Sequence, residues 1–272
     1  MKLYRILSVL LVAVLILTAL GCSDKNKETD NDDNTDKTDV SVEADSGDTT
    51  EAPVIAPVEL FKLEIVNEDV NNEKYSARLS YPAVDGYSSS EIEEKVNALV
   101  RSYTFAKMDY ALAQTGAYTH VNYNVDSLDV TFKNEKFFSA ICHISIEIEG
   151  EPDIIKGAYG INVDVKNSRI VGFESIINYN DFVIAFGNGH FGQTEGYEKL
   201  LEETTFDDII TPYSELYSIY PEFFVRAGNG TSTLGIIADT VPVLGYFAVF
   251  EDDVTDDKYV NDLYFELVND NK

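Results

Sequence analysis

The chain has 272 residues, with 48 acidic side chains against 20 basic ones and a formal charge of −28 at neutral pH. Such an excess repels phosphate backbones and anionic lipid headgroups, which argues against nucleic acid and favours a cationic protein, a cationic peptide or a divalent metal. Acidity also serves plain solubility, so charge alone selects no partner.

The first five residues carry Lys2 and Arg5 and no acid, and an apolar run follows from Ile6 to Leu20, broken only by Ser8 and Thr18. The run is shorter than the roughly 20 apolar residues of a spanning helix, and it ends in Thr18-Ala19-Leu20-Gly21-Cys22. Small residues suit a peptidase that binds the stretch extended, and a thiol at the boundary accepts a diacylglycerol. Residues 1–21 are therefore expected to be a lipoprotein signal peptide, with Cys22 lipidated and the chain held outside the bacterial cell membrane. Removing them takes Lys2 and Arg5 away and moves the formal charge by two, from −28 to −30.

Residues 22–58 read as a disordered acidic linker. Asp, Asn, Thr, Ser and Glu dominate Ser23 to Glu51, the only bases are Lys25, Lys27 and Lys37, and aromatic residues are absent. Such a segment buries too little apolar surface to offset its chain entropy. It spans on the order of 30 Å on average, extended by self-repulsion. Asp30-Asn31-Asp32-Asp33 lacks the glycine and distal glutamate of a calcium loop.

Residues 59–272 form one expected domain, long enough for a substantial core. Leu60–Val66 and Lys74–Tyr81 read as strands. Ser90-Glu91-Ile92-Glu93 opens a capping box, and a helix follows to about Gln114, with Ile92, Val96, Leu99, Val100, Tyr103 and Tyr110 near helical spacing and Gly116 as its stop. Val121–Phe132, Phe137–Ile148 and Ile154–Val165 read as strands, with Ile170–Phe173 after the turn Lys166-Asn167-Ser168. Tyr179–Phe186 and Tyr197–Glu203 read as short helices around a glycine-rich loop. Phe223–Arg226 and Thr231–Ala238 flank Asn229-Gly230, a hairpin signal, and Val243–Phe250 closes the sheet. Asp252–Val268 fits neither period. The expected class is α+β: a mostly antiparallel sheet with one long helix and a few short helices.

Catalytic signatures are sparse. With Cys22 spent on lipid, Cys142 is the one remaining cysteine. Alternation puts it on one strand face with Phe138, Ala140, Ile144, Ile146 and Ile148, a core position. His143 falls on the opposite, rim face. Gly187-Asn188-Gly189-His190-Phe191-Gly192 spells a dinucleotide fingerprint, with Asp207 downstream, but such a site needs a parallel strand before it and a helix after it; a loop is the expectation. His120, His143 and His190 make no zinc pair, and no nucleophile elbow occurs. The acids Asp252, Asp253, Asp256 and Asp257 read as a solvated turn rather than a calcium site. Neither a metal nor a cofactor is expected, and the chain reads as a non-enzyme. Tyrosine is abundant, 17 against no tryptophan. Most of these fill half-buried strand positions, but Tyr213, Tyr217 and Tyr220 recur as a stripe suited to protein or sugar contact.

Several phrases together resemble the PdaC/RsiV-type extracytoplasmic domain. Tyr81-Pro82-Ala83-Val84-Asp85-Gly86 with a following helix containing Asn97 is similar to its opening. Gly157-Ala158-Tyr159-Gly160 corresponds to its Gly-Gly-Ala-His-Gly turn, with Lys156 for the first glycine and Tyr159 for the histidine. Asp164-Val165-Lys166-Asn167-Ser168-Arg169 stands where that family has an Asp-Leu-Lys-Thr-Gly-Lys hairpin, and Ser175-Ile176-Ile177 stands for its Asp-Leu-Phe. Gly230 to Ile237, Val241-Pro242 and Gly245 to Phe250 resemble its closing strands. The resemblance implies an α+β domain outside the cell. One family setting is an anti-sigma factor that receives lysozyme; another precedes a peptidoglycan deacetylase. Neither effector part is expected here, so the expected function is a non-catalytic surface lipoprotein that binds an envelope ligand, either a cationic protein such as lysozyme or a peptidoglycan fragment. Tyr159, Tyr213, Tyr217 and Tyr220 are the candidate contacts. The alternatives are a wall-polymer hydrolase using acidic residues and a structural partner of other envelope proteins.

Overall fold

A computed structural model of the chain describes residues 61–116, 120–196, 221–228, 230–239, 247–255 and 258–269. The signal peptide, Cys22, the linker, the expected helix Tyr197–Glu203 and the stripe Tyr213, Tyr217 and Tyr220 lie outside the described residues. Two units partition the chain, Met1–Ile55 and Ala56–Lys272, and every described residue belongs to the second. No helix among the described residues is long and apolar enough to cross a membrane.

Among the described residues ten strands and four helices follow in order: β1 (Lys62–Asn71), β2 (Tyr75–Asp85), α1 (Ser90–Gln114), β3 (Val121–Lys133), β4 (Phe137–Ile148), β5 (Ile155–Asp164), β6 (Arg169–Ile170), α2 (Phe173–Ile176), α3 (Tyr179–Gly187), β7 (Gly192–Gly196), β8 (Glu222–Ala227), β9 (Ser232–Asp239), β10 (Phe247–Asp253) and α4 (Asp262–Val268). The class is α+β. A six-stranded sheet runs in the order β1-β2-β3-β4-β5-β6, and a four-stranded sheet in the order β7-β10-β9-β8. Every pairing is antiparallel except β2 with β3, which α1 joins as a crossover.

Helix α1 spans Ser90–Gln114 as expected, with the cap one residue before the expected capping box. Ser89 is the N-cap, its side chain accepting from the amide of Ile92, while Glu93 accepts from the amide of Tyr87. Its buried stripe is Val96, Val100, Thr104, Met108 and Ala111. Tyr110, a stripe residue by its spacing, is 47% exposed. Thr104 is tolerated in the core because its hydroxyl donates to the carbonyl of Val100 one turn back. Asn97 on the half-buried flank both accepts from and donates to the backbone of Val84, at 2.7 and 2.9 Å, pinning the helix to β2.

The layers follow from strand alternation. On one face of the large sheet Phe138, Ala140, Cys142, Ile144, Ile146 and Ile148 of β4 pack with the α1 stripe. On the other face Ile141 and Ala158 meet Phe224, Ile237 and Val249 of the small sheet. The far face of the small sheet, with Phe223, Val225, Leu234, Ile236, Ala248 and Phe250, packs against α2, α3 and α4. β4 is thus covered on both sides and reads as a nearly continuous apolar run. Each fully buried phenylalanine here stabilises the fold by roughly 1.5–3 kcal/mol.

Two glycines set the spacing of the sheets. A Cβ on Gly160 would fall 1.8 Å from the carbonyl oxygen of Phe223, and one on Gly235 would fall 2.2 Å from the Phe224 ring, which lies over it. At this closest approach polar side chains of the large sheet satisfy the outer edge of β8. Asn162 donates to the carbonyl of Phe223 at 2.6 Å, Ser139 accepts from the amide of Val225 at 2.8 Å, and Thr131 donates to the carbonyl of Val225 at 2.6 Å. Ser139 in turn donates to Asn162 at 2.7 Å, and both are buried.

One expectation fails locally. The strand expected over Ile170–Phe173 stops pairing at Ile170, and Gly172 is the N-cap of the short helix that starts at Phe173. The ambiguous segment Asp252–Val268 resolves into the end of β10 and the helix α4.

Candidate functional site

The sequence motifs that suggested chemistry fall in structural places. Gly157-Ala158-Tyr159-Gly160, which the resemblance matched to a turn, lies inside β5, the strand expected over Ile154–Val165. Tyr159 is 3% exposed and sits in the core beneath α1, so a ligand would reach it only through the domain interior. Its hydroxyl is buried beside the Cys142 thiol, and burial followed by that thiol pushes its phenol well above the ordinary range. Cys142 is fully buried, and burial pushes its thiol up to about 12, which makes it a weak nucleophile. The segment 187–192 closes α3 and turns into antiparallel β7 instead of leading from a parallel strand into a helix, so it forms no dinucleotide loop.

His143 is not a simple rim residue. It lies at the junction of the two sheets, with Ser127 Oγ 3.1 Å from its Nδ1, the Phe247 ring at 5.5 Å, and Glu195 of β7 3.0 Å from Nε2. The Glu195 contact is close but poorly aligned for a hydrogen bond, which leaves a charge contact only when the imidazole is protonated. Tyr103, Lys107 and Glu222 form a second junction: Tyr103 donates to Glu222 at 3.1 Å and Lys107 pairs with the same carboxylate, tying α1 to β8. These contacts hold the layers together.

Open grooves lined by described residues lie at opposite ends of the large sheet. Because β4 and β5 are antiparallel, the β3–β4 and β5–β6 turns share one end and the β4–β5 turn lies at the other. The first end carries a groove of about 560 Å³ in which Lys136, Lys166 and Arg169 face Asp164, Asp262 and Glu266, an even balance of charge. Arg169 is committed to the buried carboxylate of Asp164 at 3.0 Å.

The second end is one-sided in charge. A groove of about 440 Å³ is lined by His120, Asn122, Glu147, Ile148, Glu149, Glu151, Asp153 and Ile154. Four carboxylates line it, and no lysine or arginine is among its described lining residues. Local geometry explains the gathering. Glu147 pairs with Asn122 across the β3–β4 ladder, and the amide of Glu149 donates to the carbonyl of His120. Gly150, at φ +91°, then allows the tight turn that carries Glu151 and Asp153 back along the same end. His120 is anchored by Ser76 Oγ, 3.2 Å from its Nε2. Ile154 is 52% exposed, an apolar surface beside the carboxylates. No motif marks this turn in the sequence; its signal is the run Glu147-Ile148-Glu149-Gly150-Glu151-Pro152-Asp153, acids at every second position across a Gly-Pro turn. Among the described residues no group of three or more His, Cys, Asp or Glu side chains is arranged to hold a metal.

No family model matches the sequence, and no curated protein matches it. Among solved structures, a DUF3298 family member from Bacteroides fragilis is similar over 78% of this chain and 96% of its own, at 12% identity and a TM-score of 0.40. A DUF3298 family protein from Pseudomonas aeruginosa is similar over 64% of this chain and 82% of its own, at 10% identity and a TM-score of 0.32.

Proposed function

We propose that this chain is a non-catalytic surface lipoprotein, anchored through Cys22, whose domain binds a cationic envelope protein such as lysozyme through the groove at the β4–β5 turn. The observation that carries the reading is the composition of that groove, whose described lining gathers Glu147, Glu149, Glu151 and Asp153 beside the exposed Ile154. Each exposed carboxylate contributes only about 0.2–1 kcal/mol to a salt bridge, so the groove acts through their number and through steering of the encounter. Ile154 supplies the apolar contact that charge alone lacks. The resemblance to the PdaC/RsiV-type domain supports the same class of ligand. The test is calorimetric titration of the detergent-solubilised chain with lysozyme and, separately, with muropeptides. Saturable lysozyme binding that weakens steeply with salt supports the proposal. Binding to neither ligand refutes it, and binding to muropeptides alone moves the ligand to the cell-wall glycan.

A further inference from the structure

A β-sheet edge is a row of unpaired amides and carbonyls that natural proteins blunt. The described sheets have four edges, and three are blunted by different means. β6 has only two residues, β7 has five with a glycine at each end, and the edge of β8 is occupied by Thr131, Ser139 and Asn162. β1 differs: it pairs with β2 through ten consecutive residues without a bulge, contains no proline, and has no partner on its outer side among the described residues.

Its outward groups can be named. The amide of Asn72 donates to the carbonyl of Tyr75, which closes the hairpin and sets the even-numbered residues of β1 to bond with β2. Pro82, which has no amide, accordingly stands opposite Ile65, an odd position. Leu63, Ile65, Asn67 and Asp69 therefore turn their amides and carbonyls outward. Ile65 is also 46% exposed, a large apolar side chain on a free edge.

We infer that β1 is a self-pairing edge: two copies of the chain join antiparallel through β1 about a two-fold axis at Ile65. In this register Ile65 faces its own copy, Leu63 faces Asn67, and Lys62 faces Glu68 twice. Lys62 makes no ion pair among the described residues, whereas Glu68 is already shared by Arg101 and Tyr81 and still has acceptor capacity. The register shifted by one residue about the axis in one direction opposes Glu64 to Glu68, and in the other places Glu64 on its own copy; both oppose like charges. A seven-residue ladder is a small interface, so the dimer is weak in dilute solution and populated where the chain is concentrated.

The experiment is mild oxidation of the full chain carrying Ile65→Cys. A hydrogen-bonded antiparallel pair holds its Cα atoms about 5.5 Å apart, within the range a disulfide spans. The expected result is a disulfide-linked dimer from Ile65→Cys and none from Asn67→Cys or from the parent chain. Adding Lys62→Glu to Ile65→Cys turns two attractive pairs into repulsive ones and is expected to cut the yield about tenfold. Equal yields from Ile65→Cys and Asn67→Cys, or no dimer from either, would overturn the inference. A yield indifferent to Lys62→Glu would overturn the register.

Discussion

Substituting Asn162→Ala breaks the contact by which the large sheet satisfies the small one. Asn162 is 3% exposed, donates to the carbonyl of Phe223 at 2.6 Å and accepts from Ser139 at 2.7 Å. Truncation leaves that carbonyl buried without its partner, at a cost of about 1–3 kcal/mol. It also weakens the Ser139 hydroxyl and opens a small void, and the sum comes to about 3–4 kcal/mol. Unfolding in urea followed by far-UV circular dichroism reads the loss as a lower midpoint at unchanged slope. Tyrosine fluorescence gives a second probe, since the chain has no tryptophan. Adding Ser139→Ala to the same chain is expected to cost less than the two single losses together, by about 1 kcal/mol, because the two side chains share a hydrogen bond. An Asn162→Ala chain within about 0.5 kcal/mol of the parent would refute the argument that these side chains close the β8 edge.

Gly160→Ala places a methyl against the backbone of β8 and is expected to destabilise by about 3 kcal/mol, measured by the same urea titration. Tyr159→Phe removes a buried hydroxyl beside the weakly hydrogen-bonding Cys142 thiol, so stability is expected to change by less than about 1 kcal/mol and ligand affinity to be unchanged. Cys142 is expected to resist a thiol reagent at pH 8 until the chain unfolds, tested by labelling with and without denaturant. Its folded pKa of about 12 lies above the ordinary 9.0, so its contribution is fully present below pH 9 and is lost as pH rises through about 12; Cys142→Ala removes this ionisation, so its stability is expected to fall less between pH 9 and 12 than that of the parent. Glu68 has the opposite sign: the Arg101 guanidinium lowers its pKa, so its small contribution is present above pH 4.5 and is lost on acidification.

Where one physical signal dominates, the sequence is readable. The limits of β4 follow from a run of apolar residues between an Asn-Glu turn and an acidic one, and alternation puts Cys142 on the α1 face, where it lies. Helix α1 ends at Gln114 because Gly116, at φ +84°, accepts the left-handed backbone that ends the helix. The strand expected over Ile154–Val165 is β5, and alternation along it turns Tyr159 inward with Ile161 and Val163; only the likeness of Gly157–Gly160 to a turn made Tyr159 a candidate contact. What local pattern does not carry is juxtaposition. The parallel pairing of β2 with β3 depends on α1 carrying the chain across. The acidic groove needs His120 and Asn122 beside the β4–β5 turn, and it shows in the sequence only as a run of alternating acids.

The most direct measurement of the central claim is amide chemical-shift mapping of the isotopically labelled chain during addition of lysozyme. The expected result is that shifts concentrate at His120, Asn122 and residues 147–154, and disappear when Glu149→Gln, Glu151→Gln and Asp153→Asn are combined. Shifts that leave this groove untouched while lysozyme binds elsewhere would contradict the account.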